Sequence, residues 1–420
     1  MEKINVQVAL DRSFLMADKE QTAFVMLKLN APELPMEKRP QQNLSFVIDR
    51  SGSMAGDKLG YTKKAVAFAL GHLSEEDYGS VVTFDDSVDL LRPSANILNK
   101  DLIRKEVKSI YPGGSTNLSG GMLAGISEVR KNFGRERINR VLLLTDGMAN
   151  VGVTDPESLT NMAREVASSG VTLSTFGLGE DFQENLLKSM AEAGSGNFYY
   201  IESPDQIPGI FEQELSGLLS IVAQNIRVKI TPGPVVDECG VLGYVPEVGE
   251  KGLIVTLPDI YSGETKTIVM ALNVVPNPQG VNQLLEMEIE YADVRRNLAL
   301  VNLKANLKVD FNADGSEPSE NLEVVKYVEI LQAAKAKEEA IKLADDGDFE
   351  GSRRVLQKHL HSMMELSESM DEDAELMNEI NDLEMNLNCI SEGTSKYKTT
   401  RKQVLNSAYT TMTGRGRKRR

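Results

Sequence analysis

A short strand followed by a polar loop decides the fold of this chain: residues 44–53 read LSFVIDRSGS. The apolar run at 44–48 is typical of a strand that is buried on both faces, as strands of parallel sheets are. Asp49, Ser51 and Ser53 follow where this strand ends and its loop opens. Because ligands of parallel sheets bind beyond the carboxyl ends of the strands, the stretch predicts both a parallel sheet and a polar site at its edge.

The surrounding segment alternates strands with helices. Helices that start near Asp57 and Leu118 carry apolar residues at helical spacing. Such alternation builds a mostly parallel sheet with helices on both faces. We therefore predict a doubly wound, Rossmann-like α/β domain over residues 41–224. Its predicted strands are residues 44–49, 80–84, 140–145, 171–177 and 197–201.

The flanking segments follow other patterns. Residues 1–40 and 225–312 alternate apolar with polar positions, which is typical of antiparallel strands. Two strands alone are not stable, so we expect these segments to pair in an antiparallel β-sandwich into which the α/β domain is inserted. Apolar residues at helical spacing predict a helical hairpin or three-helix domain over 318–392, and the basic residues 393–420 are expected to form a disordered tail.

Charge separates that tail from the rest of the chain. The sequence holds 46 Lys and Arg against 62 Asp and Glu, a net charge of −16. Residues 396–420 include nine basic and no acidic side chains, which leaves −25 for the remainder. Since an acidic body repels nucleic acid, only the tail is a candidate for contacting phosphates of nucleic acid or of an anionic membrane. The candidate contacts are Arg415, Arg417, Lys418, Arg419 and Arg420.

The sequence also indicates in which cellular compartment the protein is found. Two cysteines are too few for a disulfide framework. The longest apolar runs are far shorter than the roughly 20 residues of a membrane helix. The opening residues, MEKINVQVAL, lack the apolar core of a secretion signal. We therefore expect a cytoplasmic protein without an integral membrane segment.

Two later loops carry the same side-chain chemistry as the first. Thr116 lies in a Gly-rich loop before a helix, and Asp146 follows the apolar strand 140–145. Capping of helices and turns would explain any one of these polar residues, but not three segments of one chemistry. Two carboxylates and three hydroxyls are hard oxygen ligands, which favour Mg²⁺, Mn²⁺ or Ca²⁺ over Zn²⁺. The predicted metal ligands are Asp49, Ser51, Ser53, Thr116 and Asp146.

These five residues resemble the metal-ion-dependent adhesion site of von Willebrand factor type A domains, which is a D-x-S-x-S motif followed by a Thr and an Asp. The resemblance covers about residues 43–224. It implies that the five side chains hold the cation directly or through water and that an Asp or Glu carboxylate of a partner protein completes its ligand shell. The longer arrangement resembles bacterial proteins of the Ca-activated-chloride-channel-like group, so a bacterial protein is expected.

The sequence favours binding over catalysis. A phosphatase with Asp49 as nucleophile would need a second Asp at position 51, where this chain has Ser51. A serine nucleophile needs a positioned base, and none of the three histidines lies near these loops in sequence. We predict a non-enzymatic, metal-dependent adaptor. Two alternatives stay open: a scaffold in which the metal only rigidifies the loops, and recruitment to nucleic acid or an anionic membrane through the tail.

Overall fold

The structure is a computed structural model that describes residues 3–33, 40–146, 148–179, 182–296, 299–313, 315–370, 373–391 and 394–413. The chain divides into two compact units. The central unit comprises Leu34–Asn225 and Ala292–Leu300. The flanking unit comprises Met1–Glu33, Ile226–Tyr291 and Val301–Arg420.

The elements alternate along the chain as follows. The N-terminal strands are β1 (Asn5–Leu10), β2 (Leu15–Met16) and β3 (Gln21–Asn30). The next elements are β4 (Gln41–Asp49), α1 (Asp57–His72), β5 (Tyr78–Phe84), β6 (Val88–Asn96), α2 (Lys100–Lys108), α3 (Leu118–Lys131), β7 (Arg137–Thr145), α4 (Pro156–Ser168), β8 (Thr172–Leu178), α5 (Glu184–Ala193), β9 (Ser195–Ile201) and α6 (Ile207–Leu219). A second run of strands follows: β10 (Ile221–Pro232), β11 (Val236–Leu242), β12 (Glu247–Gly249), β13 (Gly252–Leu257), β14 (Ile260–Tyr261), β15 (Thr265–Val274), β16 (Gly280–Asp293) and β17 (Ala299–Asn312). The last elements are α7 (Leu322–Asp345), α8 (Phe349–Glu368), α9 (Ala374–Ser391) and α10 (Thr394–Thr413).

The central unit contains a six-stranded sheet in the order β6-β5-β4-β7-β8-β9. Strand β4 pairs in parallel with both β5 and β7, and only the edge strand β6 is antiparallel to its neighbour. Helix α3 approaches this sheet closely because Gly125 faces Val47, whose Cγ2 would lie 2.3 Å from any Cβ added there. The predicted α/β class and its five strands are confirmed. The chain order reverses between β4 and β7, which is where doubly wound sheets open a crevice for ligands.

The flanking unit contains two mainly antiparallel sheets. One has the order β1-β3-β15-β11, and β3 pairs with β15 from Asn30 opposite Thr265 to Gln21 opposite Val274. The other has the order β12-β13-β10-β16-β17-β2, with β14 also paired to β10. The N-terminal strands therefore hydrogen-bond to strands that lie more than 200 residues later in the chain.

The C-terminal helices continue the flanking unit. Helix α7 packs Val324, Val328 and Leu331 against Met26 of β3 and Val269 of β15. Farther along α7, the buried Lys337 ammonium pairs with the carboxylates of Glu379 and Asp382 on α9. None of the described helices is both long enough and apolar enough to cross a bilayer.

Helix α10 differs from the sequence-based expectation. Residues 393–420 were expected to be disordered, and this is wrong for 394–413, which form a helix. The physical reason is an apolar stripe among the basic residues: Val404 and Leu405 pack against Ile341 of α7. The Lys266 Nζ of β15 also donates a hydrogen bond to the Thr413 carbonyl oxygen at the helix end (3.0 Å). The five candidate phosphate contacts at 415–420 lie outside the described residues.

Candidate metal site

Asp49 is the last residue of β4, and its side chain is buried at the carboxyl edge of the central sheet. One carboxylate oxygen, Oδ1, accepts a hydrogen bond from the Ser51 backbone N–H (2.7 Å). The other, Oδ2, accepts one from the Thr145 hydroxyl at the end of β7 (2.5 Å). Asp49 is therefore fixed from both sides of the point where strand order reverses.

The two serines connect this strand to the next one. Residues Gly52–Met54 form a single 3-10 turn, which places the Ser51 and Ser53 hydroxyl oxygens 3.1 Å apart. Ser53 Oγ donates to Asp146 Oδ1 (2.7 Å), directly beyond β7. Ser51 is buried, whereas Ser53 is exposed. The turn thus carries a continuous line of oxygen atoms from the buried serine to the second carboxylate.

Thr116 reaches the same edge through its loop. The Gly52 N–H donates to the Gly114 carbonyl oxygen (2.9 Å), which holds this loop against the serine turn. On the other side, Asn150 Oδ1 accepts from the Thr116 N–H (2.7 Å), and the Asn150 N–H donates to the Thr116 carbonyl oxygen (3.1 Å). The loop after Asp146 is therefore bound to the Thr116 loop. Thr116 itself is buried.

Lys58 also belongs to the site. It lies in the first turn of α1, and its Nζ is 2.5 Å from Asp146 Oδ2. Asp146 is fully buried, and about a quarter of the Lys58 side chain (26%) is exposed. Both oxygens of Asp146 are thus engaged, one by the Ser53 hydroxyl and the other by an ammonium group.

Burial makes Asp49 hard to ionise. Desolvation raises the pKa of Asp49 from 3.8 to about 6, against hydrogen bonds from Ser51 and Thr145 that lower it, and the charge of Asp146 raises it further. A carboxylate held in an unfavourable charged state binds a cation readily, because the cation removes the cost of its charge. The electrostatics of Asp49 therefore favour a positively charged ligand in this crevice.

The side chains fit a hard divalent cation. Among the described residues, no three His, Cys, Asp or Glu side chains converge in a metal-binding group. A metal here would depend on hydroxyl ligands. Ser51 and Ser53 lie beside the two carboxylates, and Thr116 lies in the loop bound to the serine turn. An all-oxygen set with few charges suits Mg²⁺, Mn²⁺ or Ca²⁺.

Sequence reasoning missed three residues of this site. Lys58, Thr145 and Asn150 contact the predicted ligands but were not predicted to take part in the site. Of these three residues, only Lys58 could have been inferred from the sequence. A lysine at the start of a helix is repelled by the helix dipole, so a nearby anion is expected to stabilise it. Thr145 and Asn150 act through contacts that only the folded loops create.

Comparison with known proteins identifies the family of the central domain. The family model for the von Willebrand factor type A domain matches residues 43–213. The protein YfbK of Escherichia coli (strain K12) is 33% identical over 228 residues, which are 54% of this chain and 40% of YfbK. Human inter-alpha-trypsin inhibitor heavy chain H3 is 35% identical over 191 residues, 43% of this chain and 22% of that protein. This chain therefore spans two fifths or less of these relatives' lengths.

A solved structure extends the likeness to the whole fold. A von Willebrand factor type A protein from Catenulispora acidiphila superposes with a TM-score of 0.73 at 15% identity, covering 97% of this chain and 96% of that one. Domains of this family typically mediate protein interactions and commonly bind a divalent metal. A von Willebrand factor type A domain therefore occupies residues 43–213 of this chain.

Proposed function

We propose that this chain is a non-enzymatic, metal-dependent adaptor that binds a partner protein through a divalent cation. Asp49, Ser51, Ser53, Thr116 and Asp146 hold Mg²⁺, or Mn²⁺ or Ca²⁺ in its place, and an Asp or Glu carboxylate of the partner completes the ligand shell. One observation carries the proposal: the buried carboxylates of Asp49 and Asp146 lie at the crevice of a doubly wound sheet on either side of one serine turn. Asp49 accepts from the Ser51 N–H, Asp146 accepts from the Ser53 hydroxyl, and the two serine hydroxyl oxygens are 3.1 Å apart.

The charge of the site supports binding of a carboxylate. Asp49 and Asp146 balance the two positive charges of the cation, and the Lys58 ammonium adds one more, so the metal-bound site has a net positive charge that attracts a further anion. The chain as a whole carries −16, which repels acidic partners elsewhere on its surface. The metal then provides both the attraction and the position of docking.

The two mainly antiparallel sheets of the flanking unit support the predicted domain organisation. We propose that they form the β-sandwich predicted from residues 1–40 and 225–312, with the metal-binding domain inserted between its segments. The pairing of β3 with β15 supports this arrangement. The cytoplasmic compartment and the bacterial source stay predictions.

Removing the Thr116 hydroxyl is expected to abolish metal-dependent capture of partners. Thr116→Ala deletes one neutral ligand and keeps every backbone hydrogen bond of its loop. The matched control is Ser115→Ala, which removes an exposed hydroxyl from the neighbouring position. Partners recovered by the wild type and by Ser115→Ala in Mg²⁺ should be lost in EDTA, and lost equally with Thr116→Ala.

Partners that survive both EDTA and Thr116→Ala would contradict the proposal. In that case a metal that still raises the melting temperature would be structural, as in the scaffold alternative. Salt-sensitive binding that disappears when residues 415–420 are removed would instead support recruitment through the tail.

A further inference from the structure

Lys58 occupies a position that local electrostatics disfavour. Helix α1 begins at Asp57, so Lys58 lies at the positive end of a 16-residue helix dipole. A cation there is destabilised unless a specific anion lies within reach. The ammonium of Lys58 finds that anion in Asp146, at 2.5 Å, rather than extending into solvent.

The surroundings of Lys58 leave room for this contact. Gly179, just after β8, has a φ of +75°, and a Cβ added there would lie 3.1 Å from Lys58 Cε and 3.3 Å from Nζ. The Lys58 side chain therefore packs against the backbone of Gly179, where no side chain obstructs it. The Lys58 hydrogen bond and the Ser53 hydrogen bond together occupy both oxygens of a fully buried carboxylate.

Lys58 and a bound metal ion would both be cations in contact with Asp146. The five predicted ligands contribute two negative charges, from Asp49 and Asp146. Lys58 contributes one positive charge in contact with the second of them. A divalent cation bound by Asp146 would approach that ammonium at short range, where like charges repel strongly because Asp146 is fully buried.

We propose that Lys58 is a built-in counter-cation of the metal site, which competes with the divalent cation for the charge of Asp146. The ammonium keeps a buried carboxylate paired while no metal is bound, and it lowers the affinity for the metal. Lys58 thereby sets the cation concentration at which the site becomes competent for a partner. This inference rests on the proposed metal site.

The test is Mg²⁺ titration by calorimetry of the wild type, Lys58→Gln and Lys58→Arg, with no partner present. Gln keeps a hydrogen-bond donor without the charge, and Arg keeps the charge. Lys58→Gln should bind Mg²⁺ about tenfold or more tightly than the wild type, and Lys58→Arg should stay close to the wild type. The matched control is Lys64→Gln, which makes the same charge change at an exposed position of α1 and should leave the affinity unchanged.

Thermal unfolding gives a second readout. In EDTA, Lys58→Gln should melt at a lower temperature than the wild type, because Asp146 loses its counter-ion. Saturating Mg²⁺ should restore it, so the gap between the two buffers widens. A variant that folds only in Mg²⁺ is the extreme form of this result. Should Lys58→Gln fold in neither buffer, Lys58→Met replaces it in the titration.

The outcomes separate this inference from the function on which it rests. Wild-type binding with equal or weaker affinity in Lys58→Gln would overturn the inference alone and leave Lys58 as a residue that positions Asp146. Binding by Lys58→Gln but not by the wild type would support it. Binding by neither protein would overturn both the inference and the proposed metal site.

Discussion

Replacing Asp49 by Asn is expected to make the protein more stable in EDTA at pH 7 and to abolish its binding of divalent cations. Burial raises the pKa of Asp49 from 3.8 to about 6, so the ionised carboxylate costs folding free energy. A raised pKa of an acid stabilises the fold below the unfolded value, and this contribution is lost as the pH rises through about 6. Asn has the same shape without the charge, and its side-chain oxygen can still accept from the Ser51 N–H.

The expected gain in stability follows from the size of the pKa shift of Asp49. At roughly 1.4 kcal/mol per pKa unit, Asp49→Asn should raise the free energy of unfolding at pH 7 by about 1–3 kcal/mol. The gain should shrink as the pH is lowered toward 4, where the carboxyl of the folded wild type is protonated and no longer carries the charge that burial disfavours. Urea unfolding in EDTA at pH 4 and pH 7 measures both values, and calorimetry measures the loss of Mg²⁺ binding.

Asp86→Asn is the matched control, since Asp86 is exposed and its carboxylate lies against Gly114 in the Thr116 loop. It should show no comparable gain at pH 7 and should keep the wild-type affinity for Mg²⁺. An Asp49→Asn variant that is less stable than the wild type in EDTA at both pH values, or that still binds Mg²⁺, would contradict this account of the buried carboxylate.

Deleting residues 1–40 is expected to make the chain aggregate. Strand β3 is an interior strand, paired to β1 on one side and to β15 on the other. Its removal exposes the edge of β15 and takes away Met26, against which α7 packs. The smaller change Leu27→Ala, at a fully buried position of β3, should lower the free energy of unfolding by about 2–5 kcal/mol.

The soluble fraction and the melting temperature measure the effect of the deletion. The control lacks only residues 1–3, which precede β1, and should remain soluble. Equal solubility and equal melting temperature for the chain without residues 1–40 and for the full chain would mean that the N-terminal strands are not a structural part of the flanking unit.

The sequence predicted those parts of the fold that depend on local pattern. The strands β4, β7 and β8 are unbroken apolar runs, and such runs indicate a parallel sheet directly. Edge strand β6 was not predicted because its residues are partly exposed and it contains Pro93, which edge strands tolerate. Helix α10 was not predicted because its basic residues indicated a disordered tail. Its two apolar residues Val404 and Leu405 form a buried cluster only together with Ile341 of α7.

In the candidate site, the ligands were predicted from the sequence, whereas the residues that contact them were not. The five predicted ligands occur at the ends of strands or in loops between strand and helix, so chain order and residue type suffice to find them. Lys58 and Asn150 could not be assigned because their roles depend on which loops the folded sheet brings together. Residues that pair with ligands, rather than serve as ligands, become visible only in three dimensions.

Crystals of the full chain grown with Mn²⁺ in place of Mg²⁺ test the central claim most directly, since Mn²⁺ has the same preference for oxygen and scatters anomalously. The account predicts one strong anomalous peak at the carboxyl edge of β4 and β7, at about 2–2.6 Å from the hydroxyl oxygens of Ser51, Ser53 and Thr116. The peak should vanish in Asp146→Ala. Density for these side chains with no peak between them at millimolar Mn²⁺, or a peak only on other residues, would contradict the account.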